Sequence, residues 1–352
     1  MSSGIRDGVV VGIDIGGTKT ALLVCAADGT VLARSVAPTA VGSPDRAADA
    51  IATLVDAALD EAHISRRDVA ALGVGVPGRV DRERGHVTLA VNLDWHDLPL
   101  GPRLAARLGI PTVLENDVRA AALGLHRRRL FGSVESLALL AIGTGIAAGV
   151  VLDGFLHRGA NGLAGEVGHV IIAPGGLPCA CGNQGCLETV AAGPAIVSRT
   201  RTGWTARGNG RAHDDLPADS TGADAVFAAA AAGDPVAMEV IESTGRAIAW
   251  GIHLLALTYD VERIVIGGGV SHAGEPFMAP ILRELDRYRA ASPLAADILR
   301  PNLVQLLPPG ADAGAWGAVT IARDSLGLGS ESLGLAPESP ALAPQGMGVG
   351  HA

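Results

Sequence analysis

Large side chains are scarce in this 352-residue chain: aromatics make up 3% of it, with four Trp, four Phe and two Tyr. A core must then be built from Ala, Val, Leu and Gly on closely packed helices and strands, and a hydrophobic share of 48% is ample for one. The length leaves room for two domains or one two-lobed unit. Positive charge is also short. With 27 Lys and Arg against 36 Asp and Glu, the formal charge is −9, which argues against a nucleic-acid partner because phosphate backbones are bound by clustered cations. The one basic cluster, Arg127-Arg128-Arg129, reads as a solvated helix end. Long apolar runs are missing as well. Leu137 to Val151 falls short of the ~18 residues that a membrane-spanning helix needs, and Gly143-Thr144-Gly145 interrupts it. No apolar segment of the kind that marks a secretion signal precedes Asp14. Cysteine is limited to four residues, three of them close together, which suits metal binding in a reducing cytoplasm better than a disulfide framework.

Those three are Cys179, Cys181 and Cys186, in the stretch His169 to Glu188 that reads HVIIAPGGLPCACGNQGCLE. Together with His169 they make a Cys3His set, the composition of a closed tetrahedral zinc site. Glycines at 175, 176, 182 and 185 let the backbone fold tightly enough for the thiolates to converge. Free thiols in a Gly-rich loop are the plainer alternative. Gly165-Glu166-Val167-Gly168-His169 leads into the stretch and Leu187-Glu188 leads out, so two carboxylates and an imidazole are tied to one loop.

Along the chain, Val9 to Asp14 is a short buried strand running into Ile15-Gly16-Gly17-Thr18-Lys19-Thr20, followed by strands at Ala21 to Cys25 and Val31 to Val36. The result is an antiparallel meander with a Gly-rich first turn. Such a turn can offer backbone N–H groups to phosphate oxygens, and Asp14 at the strand end can hold magnesium through water; an ordinary hairpin accounts for a lone Gly-Gly turn equally well. Ser43 and Pro44 start a helix with apolar residues at 47, 51, 54, 55, 58 and 62, and Val69 to Val76 is the strand to which it crosses over. Gly73 to Gly78 fits G-x-G-x-x-G, but Pro77 and Arg79-Val80-Asp81 continue into a loop where a dinucleotide site requires a helix.

Pro102 to Leu108 reads as a short helix and Pro111 to Leu114 as a strand ended by Glu115-Asn116-Asp117, with a helix from Val118 to His126. A carboxylate at the C-terminal edge of an α/β sheet lies where ligands bind. Asp117 serves equally well as a helix cap. Leu137 to Ile142, Gly143-Thr144-Gly145 and Ile146 to Leu152 repeat the style of the opening hairpin, which suggests a duplicated architecture with nucleotide phosphates between the halves. A Walker sequence is absent, since Gly17-Thr18-Lys19-Thr20 lacks the Gly-Lys pair. Pro194 to Thr200 is a helix, Arg201 to Thr221 a polar, mobile excursion, Ala223 to Ala232 a helix, and Asp234-Pro235 opens a long helix to Tyr259. Ile264-Val265-Ile266 is a buried strand delivering Gly267-Gly268-Gly269, a turn that suits either a nucleoside against bare backbone or a tight strand-to-helix bend. Asp312 to about Ser325 is a helix of small residues.

Together these runs resemble the ROK family of bacterial sugar kinases and regulators, most closely its actinobacterial-type glucokinases. The resemblance rests on Asp14-Ile15-Gly16-Gly17-Thr18-Lys19, Gly75-Val76-Pro77-Gly78, Asn92-Leu93-Asp94-Trp95, Asn116-Asp117, Gly143-Thr144-Gly145, Gly165 to His169, the Cys-x-Cys-Gly-x-x-Gly-Cys-x-Glu run from 179 to 188, and Ile266 to Gly269. It implies an α/β, two-lobed, actin-like (ribonuclease H-like) ATPase fold with an inserted zinc-binding loop. Residues 8–117 with 312–326 would form a smaller N-terminal lobe, 118–311 a larger one carrying the loop 169–188, and 327–352 a disordered tail. ATP, Mg2+ and a structural Zn2+ on His169, Cys179, Cys181 and Cys186 are implied, with a hexose as substrate. Asp117 corresponds to the general base, and Gly75, Asn92, Asn116, Glu166, His169 and Glu188 to further sugar-binding positions. Asp14, Gly16, Gly17, Thr18 and Lys19 correspond to the first phosphate motif, Gly143, Thr144 and Gly145 to the second, and Gly267, Gly268 and Gly269 to the nucleoside contact.

The resemblance further implies a cytoplasmic homodimer or homotetramer. A sugar-responsive repressor of the same family would need a helix-turn-helix ahead of the first strand, and eight residues precede Val9. Two departures stand out. Ala147 and Ala148 stand after the second phosphate turn where the family more often has glycine, and two methyl groups beside the nucleotide keep a catalytically silent sugar binder as the alternative to a kinase, although the core catalytic set is intact. Leu125 occupies a position near which the family usually carries Glu.

Overall fold

The computed structural model describes residues 8–40, 44–207 and 222–328. Its frame is a pair of five-stranded sheets with the same internal order. The first is built from β1 (Val9–Ile15), β2 (Lys19–Cys25) and β3 (Val31–Pro38), an antiparallel meander, after which α1 (Pro44–Glu61) crosses to β4 (Val69–Val76). A small antiparallel sheet follows, made of β5 (Arg79–Asp81), β6 (His86–Ala90) and β7 (Trp95–Leu98), and then α2 (Leu100–Leu108) leads to β8 (Thr112–Asn116). The sheet order is β3-β2-β1-β4-β8, with β1, β4 and β8 parallel. The segment expected to be a loop after Pro77 is thus partly strand. Its strands are three to five residues long, too short for alternation to register against a noisy background.

The first half ends with α3 (Asp117–Arg127), and the second opens with β9 (Leu137–Ile142), β10 (Ile146–Leu152) and β11 (Phe155–His157). Four helices separate β11 from the next strand: α4 (Glu188–Ala191), α5 (Gly193–Ala206), α6 (Ala223–Ala231) and α7 (Pro235–Tyr259). Then come β12 (Arg263–Gly267), α8 (Glu275–Ala291), α9 (Pro293–Ile298), β13 (Val304–Leu306) and α10 (Ala313–Ser325). The sheet order β11-β10-β9-β12-β13 repeats that of the first half, with β9, β12 and β13 parallel. α5 runs on to Ala206, so the start of the expected polar excursion is helical. Its apolar face carries Trp204, whose indole N–H donates to Asp234 Oδ1 at 3.0 Å; the rest of that excursion, the Ser43 cap and the tail beyond 328 lie outside the described residues.

Each half lends its last helix to the other. α3, which leaves the first sheet, packs Ala120, Leu123 and Leu125 against Leu137, Leu139 and Val151 of the second sheet. α10, which leaves the second sheet, packs Ala315, Trp316, Val319 and Ala322 against Val10, Leu23 and Ala71 of the first. The helices sit on the sheets at glycines: a Cβ added at Gly73 would lie 2.0 Å from Ala318 O, and one at Gly149 2.5 Å from Val118 O. Where α3 and α10 cross, a Cβ at Gly317 would lie 2.3 Å from Ala120 O, so the two helices meet backbone to backbone. Small residues on α10 are therefore required by contact distance. Arg128, expected at a solvated helix end, is 6% exposed, with its guanidinium 4.2 Å from the Trp316 ring centroid, a cation–π stack that closes the end of this crossing. Among the described residues no helix is long and apolar enough to cross a membrane.

Candidate active site

A cleft of about 590 Å³ runs between the sheets. Of the positions singled out in the sequence it is lined by Gly17, Thr18, Asn92, Asn116, Asp117, Gly143, Thr144, Gly145, Glu166, His169, Glu188 and Gly268. The remainder stand behind it. Gly75 is a buried spacer whose added Cβ would lie 3.5 Å from Asp117 Cα and 3.6 Å from Asp14 Oδ1, so Asp14 and Asp117 face each other across it. Gly16 is tied by its N–H to Lys19 O at 2.9 Å, and Lys19 is an exposed strand residue. Gly267 ends β12 in the core and Gly269 opens a short 3-10 turn. Of the two alanines after the second turn, Ala147 lines the cleft, whereas Ala148 is 2% exposed and points into the hydrophobic core. One methyl group, not two, faces the cleft.

The Asn116-Asp117 pair is placed by the junction of β8 and α3. Asn116 is the helix cap: its Oδ1 accepts from Arg119 N at 3.1 Å, while its Nδ2 donates to Gly78 O at 3.1 Å. This relieves Asp117 of the capping role. Its Oδ1 accepts from the adjacent Val118 N at 2.8 Å, and the residue lines the cleft. Burial pushes the Asp117 carboxyl up to about 6, a rise that the Val118 N–H and the Arg119 charge hold back and that Glu166 reinforces. Asp14 is pushed up to about 7, first by burial and then by Asp117, with Lys19 pulling the other way. Two partly desolvated acids at the end of a parallel sheet are suited to proton transfer and to holding a cation.

Opposite them, Glu166 is set by the strand edge of the second sheet. Gly165, at φ +91°, brings its carbonyl to Ala148 N at 2.7 Å, and an added Cβ there would lie 1.8 Å from Ala148 O; only glycine allows that approach. His169 lies between two carboxylates, with Nδ1 3.6 Å from Glu188 Oε1 and Nε2 4.0 Å from Glu166 Oε2. Its Nδ1 also lies 3.5 Å from Cys179 Sγ, and Cys181 Sγ lies 3.6 Å from Cys186 Sγ. The four ligand atoms of His169, Cys179, Cys181 and Cys186 fall within 4.8 Å of one another. A tetrahedral zinc with ~2.3 Å bonds to sulfur requires ligand separations of roughly 3.8 Å, so the donor set and its spacing fit that ion. Glu188 reaches from α4 to the second glycine turn, where an added Cβ on Gly145 would meet its Oε2 at 3.2 Å.

Three residues that the sequence reading passed over support this wall. Glu115, 2% exposed, accepts from Arg119 Nε at 3.2 Å and from Arg158 Nε at 2.7 Å, and Arg119 Nη1 donates to Gly162 O at 2.6 Å. The i,i+4 spacing of Glu115 and Arg119 was a readable signal for the first pair. Leu125, by contrast, is 1% exposed, with its side chain in an apolar cluster.

Two sheets of one order, joined by exchanged helices and each offering a glycine turn to the cleft between them, define an actin-like α/β protein of the nucleotide-binding kind. Comparison with known proteins narrows this. The ROK family model matches residues 10–325, and the chain belongs to the ROK family. It is 35% identical over 314 residues to a glucokinase from Halalkalibacterium halodurans, an alignment covering 87% of this chain and 92% of that protein. It is 32% identical to an N-acetylmannosamine kinase from Shigella flexneri, with 89% and 98% covered. The crystal structure of a ROK family glucokinase from Streptomyces griseus in complex with glucose and AMPPNP superposes with a TM-score of 0.74 at 33% identity, covering 90% of this chain and 100% of that one.

Proposed function

We propose that this chain, a sugar kinase of the ROK family, transfers the γ-phosphoryl group of ATP to the primary hydroxyl of glucose. The observation that carries the reading is Asp117: a partly desolvated carboxylate, free of capping duty, in the same cleft as the Gly143–Gly145 turn and the His169–Glu188 pair. Its carboxyl at about 6 is matched to accepting a hydroxyl proton near neutral pH. As Asp117 takes that proton, the sugar oxygen bonds to the γ-phosphorus, the bond from phosphorus to the bridging oxygen breaks, and ADP leaves with the electron pair. Backbone N–H groups of the two turns face the phosphates, and positioning with charge stabilisation makes up most of the catalysis in such transfers. Asp14, buried and raised, suits a magnesium ion held through water, which supplies charge neutralisation at the phosphates.

The sugar carries no charge, so Glu166, Glu188, His169 and Asn116 hold it through hydrogen bonds from adjacent hydroxyls. Asn116 retains one N–H and one lone pair for this after its two protein contacts. His169, Cys179, Cys181 and Cys186 fit a structural zinc that orders the loop 169–188. As a thiolate, Cys179 has no proton to give Glu188, with which its thiol is 3.1 Å apart, and Glu188 Oε1 is then open to a sugar hydroxyl. Residues 8–117 with 312–326 form one lobe and 118–311 the other, in keeping with the exchanged helices. A cytoplasmic homodimer or homotetramer belongs to the same reading and rests on the family resemblance.

The test is a coupled assay over glucose, mannose, fructose, allose, N-acetylglucosamine and N-acetylmannosamine, with ATP and with polyphosphate as donors. Glucose with ATP is expected to give the highest kcat/KM. Preference for N-acetylmannosamine would reassign the substrate, and sugar binding without turnover of any hexose would make this a silent binder.

A further inference from the structure

Glu115 is the last acid before the Asn116-Asp117 pair, and its buried carboxylate is hydrogen-bonded through both oxygens. Oε1 accepts from Asn116 N at 3.0 Å and Arg119 Nε at 3.2 Å, and Oε2 accepts from Arg158 Nε at 2.7 Å. Arg158 belongs to the opposite wall. It follows β11 and opens the segment that ends at Glu166, and its carbonyl accepts from Ala164 N at 3.1 Å, which closes that segment into a compact loop. Arg119 grips the middle of the same loop through Gly162 O at 2.6 Å. The far end is fixed on β10 by the Ala148 N–Gly165 O bond of 2.7 Å. The loop that delivers Glu166 is therefore pinned at its start and its middle by two guanidinium groups that share one carboxylate, and that carboxylate is bonded to the backbone N–H immediately before Asp117. Charge-assisted hydrogen bonds of this kind are short and directional, so they hold a distance as well as a contact.

We propose that Glu115, Arg119 and Arg158 form a positioning clamp that sets Glu166 at a fixed distance from Asp117 across the cleft, with Arg158 as the residue that carries the restraint between the walls. The inference rests on the assignment of Glu166 and Asp117 to the sugar. None of the three clamp residues lines the cleft, so they act through the residues they hold. A loop displaced by about 1 Å loses alignment of the acceptor, an effect that reaches ~100-fold in comparable sites.

The test uses the full-length enzyme with ATP and the hexose that the panel ranks first. Arg158 is the residue to change, because its side chain is 35% exposed and the fold does not depend on burying it. Arg158→Met is expected to raise the sugar KM about tenfold or more while the ATP KM stays within about twofold, the pattern of lost ground-state positioning at one substrate only. Arg158→Lys, which keeps the charge and one donor nitrogen, should recover a substantial part of the loss. Calorimetry of sugar binding should follow the KM. Glu166→Gln is the benchmark. If it raises the sugar KM and Arg158→Met does not, the clamp is wrong and the sugar assignment stands. If Glu166→Gln leaves the sugar KM unchanged, the loop does not meet the sugar and the clamp falls with it. A fall in thermal midpoint and active fraction for both Arg158 variants, at unchanged sugar KM, would show a role in the fold alone and overturn the proposal.

Discussion

The two sheets share a strand order and a hairpin, yet they equip the cleft differently. In each, three residues join the first two strands, 16–18 in one and 143–145 in the other, and each turn is closed by a glycine N–H at 2.9 Å. The first half presents acids at its strand ends, Asp14 and Asp117, raised by burial to about 7 and about 6. The second half has no acid at the ends of β9 and β13, and its nearest counterpart is Asp312, the residue before α10. Its polar groups, Glu166, His169 and Glu188, come from the long insertion between β11 and α5. On the proposed function, the repeated frame meets the phosphates, the reacting acid stands on the first half and the sugar-binding groups other than Asn116 on the second, so the two roles should be separable by mutation.

The sharpest separation is Asp117→Asn, which keeps the shape of the side chain and removes its basicity. With Asn116 already capping α3, the fold should be retained, and kcat should fall by about 10²–10⁴ with sugar affinity little changed. A variant with near-native kcat would place the base elsewhere. The reverse separation comes from Cys181→Ala, which takes one thiolate from the loop of the second half. Metal analysis should show reduced zinc, and calorimetry should show glucose binding weakened by roughly 10–100-fold with ATP affinity nearly constant. Zinc-free protein that binds glucose normally would sink the link between loop and sugar. Cys25→Ala is the control, since that thiol lies in the core of the first sheet at 0% exposure.

A third effect is set by pH. A general base works ionised, so activity is present above the Asp117 value and lost as pH falls through about 6, with kcat/KM dropping about tenfold per unit below it. Asp14 is coupled to Asp117 and titrates near it, so the measured limb belongs to the pair. Glu166→Gln removes a charge that raises Asp117 and should move the limb to lower pH; an unmoved limb would mean that the two walls do not sense each other. The smallest effect is expected at Ala147→Gly, which clears the single methyl that faces the nucleotide side of the cleft. A change in ATP KM within about fourfold is expected, a buried methyl being worth ~0.8 kcal/mol.

Much of the frame was legible because its signals are local. The apolar run Val9 to Asp14 and the Gly-rich turn after it marked the first meander, and Asp234-Pro235 marked the start of α7, where Asp234 Oδ1 accepts from Val236 N and Ala237 N at 3.0 and 2.9 Å. The cysteine spacing made the cluster visible before any geometry. What stayed hidden depends on distant partners. Glu115 looked like a strand end, and its second cation stands 43 residues away. Arg128 looked like part of a solvated basic run because nothing near it in sequence announces Trp316. The strands β5 to β7 are set by pairing with each other and by the packing of Trp95 and Leu98 in the core, which short segments do not advertise.

The exchange of α3 and α10 has a consequence for how the chain is made. β1 begins at Val9, but the helix that covers its face begins at Ala313, after the whole second half. Synthesis runs from the N-terminus, and domains usually fold in that order as they emerge. Here the first sheet leaves the ribosome with Val10, Leu23 and Ala71 uncovered, and among the described residues between Ala71 and Ala315 none joins their apolar cluster. The half that starts first finishes last, so the nascent protein carries an open apolar face until its final helix arrives.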